Sequence, residues 1–517
     1  MERRDIYPIG QQDFKNLRDR DGLYVDKTYY IDKILKSNSQ YYFLARPRRF
    51  GKSLFLSTLR YFFEGQRNLF KGLYIDSIDW DWEPYPVLHI DLNSGEFKDL
   101  DNLDIVIDNL LREWEKKYDV MVTDSDITTR FRNVIKKAHE STGRQVVILV
   151  DEYDKPLIKN LDSEGFEAYR EKLAAFYSNF KSSAQHIRLL FMTGVSRFSK
   201  LSVFSGLNNL RDISFADEFA DICGITEKEL YSYFKEGIED LAARYEISHE
   251  EMKAKLKKNY DGYRFSEEGS DIYNPWSILN CMSDRKTAFY WNETGFPSII
   301  VKAIKRMHSD LEEIFNTECD EEELKGFDLT DPNPVALMYQ TGYLTIKDYD
   351  FRTDTIRLGI PNEEVKSGLF KILIPYYAKF QSEADSYKVK DFLKWIRQGK
   401  PERFMESMQT YFAGVSYMLK MDNENNFHNA FFLVTNLIGL QSDAEVVTSD
   451  GRIDMTIKTP KYIYIIELKY DKSAEEALAQ INNKGYDRMF RDDSRKIFKI
   501  GVNFSSRTRT IEDWRIQ

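Results

Sequence analysis

Tyr41-Tyr42-Phe43-Leu44-Ala45-Arg46-Pro47-Arg48-Arg49-Phe50-Gly51-Lys52-Ser53 sets a short apolar run ahead of a basic loop that closes on Gly-Lys-Ser. A helical pattern follows at once, with Leu54, Phe55, Leu59 and Phe62 falling on one face. The stretch therefore reads as strand, loop, helix. Three more runs resemble its strand: Val87-Leu88-His89-Ile90, Val146 to Val150, and Arg188 to Met192. Helical stretches near 103–118, 128–140 and 163–183 lie between them. Continuous rather than alternating apolar strands, separated by helices, predict strands buried on both faces of a parallel, doubly wound α/β sheet.

The loop half-matches GxxxxGK[ST], with Arg46 where the leading glycine belongs. Gly51 permits close approach of backbone to a phosphate, and a helix N-terminus supplies free N–H groups and a positive dipole end. Lys52 can reach β- and γ-phosphates, and the Ser53 hydroxyl can ligate Mg²⁺. Arg48, Arg49 and Phe50 complete the candidate cradle. A second element stands at Val150-Asp151-Glu152, two carboxylates closing a buried strand where open α/β sheets bind ligands. Asp151 is expected to hold Mg²⁺, and Glu152 to orient and deprotonate an attacking water. On the strand ending Met192-Thr193-Gly194-Val195-Ser196-Arg197, Thr193 is a candidate γ-phosphate sensor and Arg197 a candidate for neutralising developing charge.

From 216 to 330 the pattern turns helical (Glu227 to Tyr245, His249 to Asn259, Pro297 to Phe315). Pro334 to Tyr339, then Tyr343 to Ile346 and Thr355 to Leu358, suggest a helix with a two-stranded hairpin, a winged-helix-like unit. Residues 363–420 read as helical, and Asp422-Asn423-Glu424-Asn425-Asn426 as a linker. Beyond it come a helix at 428–438, strands at 444–448, 452–458 and 462–468, a helix at 473–487 and a strand at 496–502. The expected division is thus 1–215, 216–330, 331–425 and 426–517.

In the last segment, Gly451-Arg452-Ile453-Asp454 precedes Tyr462 to Ile466 and then Glu467-Leu468-Lys469. Residues two apart on a strand share a face, so Glu467 and Lys469 project together while Leu468 points to the core. A hairpin would bring Asp454 opposite Glu467. Two carboxylates at one sheet edge suit Mg²⁺, which polarises a phosphodiester and acidifies a bound water.

Together these segments resemble a bacterial family that joins an AAA-ATPase-like domain to a PD-(D/E)XK nuclease-superfamily domain. The likeness runs through Tyr24-Val25-Asp26-Lys27-Thr28, the arginine-rich loop, Asp151-Glu152-Tyr153-Asp154-Lys155-Pro156, and Thr193 to Phe198. It continues through Asn259 to Tyr263, Tyr273 to Trp276, Phe427-His428, Gly451 to Asp454, Glu467-Leu468-Lys469, Gln480, Gly485-Tyr486 and Gly501 to Phe504. It implies a P-loop NTPase sheet and a C-terminal restriction-endonuclease-like α/β domain. Within it Arg46 is a usual loop residue. It also implies ATP and Mg²⁺ as cofactors, Asp454, Glu467 and Lys469 as a nuclease core, and Gln480 as an accessory. Many superfamily members carry a Glu on the first helix, and Phe427 to Gly439 has none. Glu445 is preferred over His428 as its replacement at the metal.

Composition bounds the rest. The chain has 517 residues, 74 Lys+Arg against 84 Asp+Glu and a net charge of −10. That disfavours a uniformly basic coat for nucleic acid but leaves room for a local basic groove. Three scattered cysteines give no CxxC pair, so neither a zinc ribbon nor a disulfide-stapled fold is expected. Without a signal-like N-terminus or an apolar run of membrane length, a cytoplasmic protein with no membrane partner is expected. Nucleic acid is the expected partner, DNA before RNA, and a homo-oligomer is left open. The leading reading is an ATP-driven, Mg²⁺-dependent nuclease. The alternative is a nucleotide-controlled switch whose last domain holds DNA or a partner without cutting.

Overall fold

The structure is a computed structural model that describes residues 7–517 apart from 98, 123–125, 161–162, 164, 198–208, 292–299, 302–303, 305–310, 327–332, 378–390, 417–423, 441–444 and 450–452. The chain forms two compact units, Met1–Gly295 with Thr317–Glu364, and Phe296–Asn316 with Val365–Gln517. The expected boundaries at 330 and 425 fall inside these units.

The first unit is built on five parallel strands, β1 (Tyr41–Ala45), β2 (Val87–Asp91), β3 (Val146–Asp151), β4 (Ile187–Gly194) and β5 (Arg211–Asp212), in the order β2-β3-β4-β1-β5. All six residues of β3 are buried, as a strand covered on both faces requires. The crossover helices run Lys52–Phe63, Leu100–Tyr118, Ile127–Thr142 and Phe166–Ser182. Their ends follow local chemistry. Asp99 and Asp126 cap two N-termini by accepting from Asn102 and Thr129 N–H groups, and left-handed Gly143 closes the second helix. Because every strand is parallel, the β1 loop, Asn93 after β2 and Glu152 after β3 all emerge at one carboxyl edge.

The expected helix from Glu227 to Tyr245 is two, Glu227–Tyr233 and Lys235–Tyr245, broken at Phe234, whose buried ring packs into the helical core. His249–Tyr260 and Pro275–Asp284 follow, with a two-stranded sheet of β6 (Ile225–Thr226) and β7 (Ile272–Tyr273). Of the helix expected over Pro297 to Phe315, Leu311–Phe315 is helical and most of the remainder lies outside the described residues. The winged-helix-like hairpin is a three-stranded sheet: β8 (Glu318–Cys319) pairs with β10 (Thr355–Gly359), which pairs with β9 (Thr345–Asp350). The preceding helix, Pro334–Thr341, is buried at every residue, which leaves it no free face for a nucleic-acid groove.

The second unit takes in the helix Glu363–Tyr377 from Val365 onward, then Pro401–Ser416 and Glu424–Leu440. The linker expected at 422–426 is therefore helical from Glu424 onward. Its Glu and Asn residues resemble a turn in composition, yet an acidic residue in a first helical turn is favoured by the helix dipole. The C-terminal sheet runs β11 (Glu445–Ser449), β12 (Ile453–Lys458), β13 (Tyr462–Tyr470), β14 (Lys496–Ser505), β15 (Thr510–Ile516) in that order. Only β13 and β14 pair in parallel, joined through the helix Ala474–Lys484. Strand β15 was not expected from the sequence. Among the described residues no helix is long and apolar enough to cross a membrane. All three cysteines are free and buried.

Candidate functional sites

Gly51 opens the helix Lys52–Phe63 at φ 98°, a conformation open to glycine and costly for other residues, and a side chain there would meet nothing within 4 Å. Its open side faces a cleft of about 610 Å³ lined by Arg48, Arg49, Lys52, Ser53, Asn93, Glu152, Lys155, Lys159 and Trp276, among others. Five of these are cations and one is a carboxylate. Arg49 (φ 68°) and Glu152 (φ 53°) also adopt left-handed backbone, which for non-glycine residues costs on the order of 1–3 kcal/mol and gathers at functional sites. The Arg49 guanidinium lies 3.8 Å over the Trp276 ring.

Lys52 is only 4% exposed and turns back on its own loop, donating to the carbonyls of Arg46 at 2.9 Å and Pro47 at 3.2 Å. Its amine stands 3.8 Å from Glu152 Oε1. Arg46 explains the missing glycine. Its buried guanidinium donates to the carbonyls of Ala45, Ser214, Phe219 and Ala220 and stacks on Phe265. It is thus an anchor for the loop, and burial lowers its pKa.

Behind the cleft, β4 lies between β1 and β3, so Thr193 stands beside Asp151 and donates to its Oδ1 at 2.6 Å. Both are buried. Two candidates lie away from the cleft. Arg197 pairs with Asp212 at 3.0 Å, in a small cavity with Phe215 and Gln340. Phe50 buries its ring against Tyr263 and Phe265, since an aromatic side chain on this loop gains more from the core than from a phosphate.

Sequence reasoning missed Asp154. Its carboxylate is fully buried; Oδ2 accepts the N–H groups of Val195 at 3.0 Å and Ser196 at 2.7 Å, while Oδ1 has no partner among the described residues. Burial, with Glu152 adding to it, pushes its pKa up to about 7. A side chain on Gly194 would collide with Tyr153 and with Asp154 Oδ1. An apolar annex of about 100 Å³, lined by Leu23, Tyr24, Val25, Ile222 and Cys223, shares Gly51, Leu54, Pro275 and Leu279 with the cleft.

In the second unit, Met455 pairs with Ile466, so the next step of the ladder sets Asp454 beside Glu467. Asp454 Oδ2 accepts the Leu468 N–H at 2.6 Å. Glu467 is 2% exposed. Its Oε1 accepts from Lys469 Nζ at 3.1 Å and from the Gln480 amide; its Oε2 is buried with no partner among the described residues. Gln480 also reaches the Tyr486 hydroxyl at 3.4 Å. Burial and the neighbouring Asp454 raise the Glu467 pKa, and Lys469 opposes them. Leu468 is only half-buried, so at this end of β13 it is Glu467, not the leucine, that is most enclosed. An orphaned buried carboxylate oxygen beside a second carboxylate fits a divalent cation. Among the described residues, however, no group of three His, Cys, Asp or Glu side chains is placed to hold a metal. Of Glu445 only the backbone, paired with Lys458, is described, and Gly451 and Arg452 lie outside the described residues. The first helix does carry a glutamate, Glu424, exposed at its start.

A parallel sheet with a Gly-Lys-Ser loop at its carboxyl edge, and a mixed sheet with an Asp, Glu and Lys at one end, define the two classes of domain that comparison with known proteins finds. Residues 8–204 match the "Predicted AAA-ATPase" family and residues 422–514 the "PD-(D/E)XK nuclease superfamily". The chain is also 34% identical over 527 residues to an Azotobacter chroococcum mcd 1 protein described as "Uncharacterized protein in vnfD 5'region", covering 99% of this chain and 98% of that one. The chain belongs to the family of predicted AAA-ATPases that carry a C-terminal PD-(D/E)XK nuclease-superfamily domain.

Proposed function

We propose that the chain binds and hydrolyses ATP with Mg²⁺ and couples this to a Mg²⁺-dependent nuclease-like domain that acts on nucleic acid, DNA in preference to RNA. The observation that carries it is the cleft of five cations around one carboxylate at the start of the helix Lys52–Phe63. Neutralising several phosphate charges is the task that such a lining performs well. The adjoining apolar annex suits a base, which favours a nucleotide over a bare polyphosphate. Lys52 leaves its loop carbonyls for the β- and γ-phosphates. Ser53 and Asp151 hold the ion, Thr193 fixes Asp151 in place, and Glu152 accepts the proton of the attacking water.

In the second unit Asp454 and Glu467 would hold Mg²⁺; Glu445, expected as a further ligand, has its backbone paired with Lys458, four residues along β12 from Asp454, too far along the strand to share that ion. The metal, when bound, supplies a Lewis acid and a more acidic water. Lys469 stabilises the charge that develops on the phosphate, and Gln480 orients Glu467. Mg²⁺ is commonly held by one or two carboxylates plus substrate phosphates, so two suffice for binding. The small carboxylate count nevertheless favours a second reading, in which the domain grips nucleic acid or a partner without cutting.

Lys52→Ala tests the nucleotide site. At a hundred-fold excess over Kd, ATP should stabilise the parent by about 2.7 kcal/mol. The variant should show no such gain in thermal denaturation. Equal stabilisation of both proteins would move the site elsewhere.

A further inference from the structure

If the cleft holds a nucleotide as proposed above, its cations other than Lys52 still lack a task. Lys155 and Lys159 sit one turn apart on the helix Lys155–Lys159, directly after Glu152-Tyr153-Asp154, and both line the cleft with Lys52 and Ser53. The Lys155 amine donates to the carbonyl and the side-chain oxygen of Asn93, at the end of β2. The Lys159 amine donates to the carbonyls of Gly95 at 3.2 Å and Glu96 at 3.1 Å. Every one of these acceptors is neutral. Burial, then Lys159, then Arg48, lower the pKa of Lys155, while Glu152 and Asp91 oppose them. Like charges held together in a half-enclosed cavity repel, and an anion in the cavity relieves that repulsion.

The residue expected to neutralise developing charge stands elsewhere, since Arg197 is paired to Asp212. We propose that Lys155, steadied by Asn93 and backed by Lys159, holds the terminal phosphate of the bound nucleoside triphosphate and takes that role. In the reaction the water oxygen bonds to the terminal phosphorus as the bond to the bridging oxygen breaks. The electron pair leaves on the nucleoside diphosphate, and the water proton passes to Glu152 and then to solvent. Negative charge shifts among the phosphate oxygens during this exchange, and a cation contacting the terminal group stabilises it most.

Lys155→Gln in the full chain removes the charge while keeping a donor for Asn93, and Lys155→Arg keeps the charge. Calorimetry with Mg²⁺ and either ADP or a non-hydrolysable ATP analogue reads the contact to the terminal phosphate directly. The parent should bind the triphosphate about tenfold more tightly than ADP. Lys155→Gln should lose that preference with ADP affinity within about twofold, and its kcat should fall about 100-fold. Lys155→Arg should recover most of both. Lys159→Gln, whose amine meets the Gly95 and Glu96 carbonyls and lies over the Phe97 ring, is an independent variant and should lose about threefold of the preference. A Lys155→Gln protein that keeps the triphosphate preference and kcat within about twofold of the parent overturns the assignment while leaving the nucleotide site intact. A parent that binds neither ADP nor the triphosphate overturns the nucleotide reading itself, and this role with it.

Discussion

The cleft after Tyr41–Ala45 gathers five cations around Glu152, whereas the edge of the C-terminal sheet sets Asp454 and Glu467 against Lys469. Under the proposed function both meet phosphate, by opposite routes. In the first unit protein cations and a helix N-terminus take up the charge directly, and the single carboxylate is kept for proton transfer. In the second the protein supplies the anions, and a divalent ion must bridge them to the substrate. Enclosure follows the same division. Lys52 is satisfied by carbonyls of its own loop, while Glu467 leaves one buried oxygen without a partner. Each site gains from its occupant: an anion relieves the crowded cations of the first, and a divalent ion pairs the orphaned oxygen of the second.

The largest expected effect breaks the second half of this contrast. Asp454→Ala removes one ligand and should lower phosphodiester cleavage by about 1,000-fold or more, with metal affinity falling in calorimetry. Lys469→Ala should cost about 100-fold in cleavage and leave metal affinity unchanged. If the two variants lose metal affinity equally, Lys469 is positioning the carboxylates rather than acting on the phosphate. In the first unit, Glu152→Gln should bind nucleotide like the parent while turnover drops by about 100-fold, since the amide keeps the shape but accepts no proton. Undiminished hydrolysis would put the base at another residue.

A smaller effect separates the cleft from the carboxylate behind it. Asp154 has its pKa raised to about 7, above an unfolded value near 3.9. Its contribution to stability is therefore full below pH ~4 and is lost as pH rises through about 7. Asp154→Asn still accepts from Val195 and Ser196 but carries no charge. Its stability relative to the parent should grow between pH 5 and 8 in thermal denaturation. Parallel pH profiles would mean that Asp154 is not the group that titrates.

The sheet of the first unit was legible because continuous apolar runs such as Val146–Val150 admit few other readings, while its strand order, β2-β3-β4-β1-β5, was not read from the sequence. The positions of Lys52, Ser53 and Glu152 at one edge follow from that topology. Their surroundings do not. Arg46, by resemblance a usual residue of the loop, is an anchor, because only the packed chain shows four carbonyls converging on it. Arg197 was a plausible neutralising cation in sequence, but the structure pairs it with Asp212 on β5. Lys155 and Lys159 are plain charges in sequence; they become a cleft wall because β2 and β3 are neighbours and Asn93 meets Lys155. The second unit was legible through its charged strand end, while Glu424 was lost to an Asn-rich segment of turn-like composition. Strand β15, Thr510-Ile511-Glu512-Asp513-Trp514-Arg515-Ile516, is an edge strand whose polar residues obscure its pattern.

The most direct test of the whole account is supercoiled plasmid incubated with the intact protein in Mg²⁺, with ATP present and absent, beside the Asp454→Ala and Lys52→Ala variants. Nicking or linearisation should require Mg²⁺ and Asp454, stop in EDTA, and change rate with ATP in the parent but not in Lys52→Ala. Plasmid left intact by the parent under every condition, or cut equally by Asp454→Ala, would contradict it.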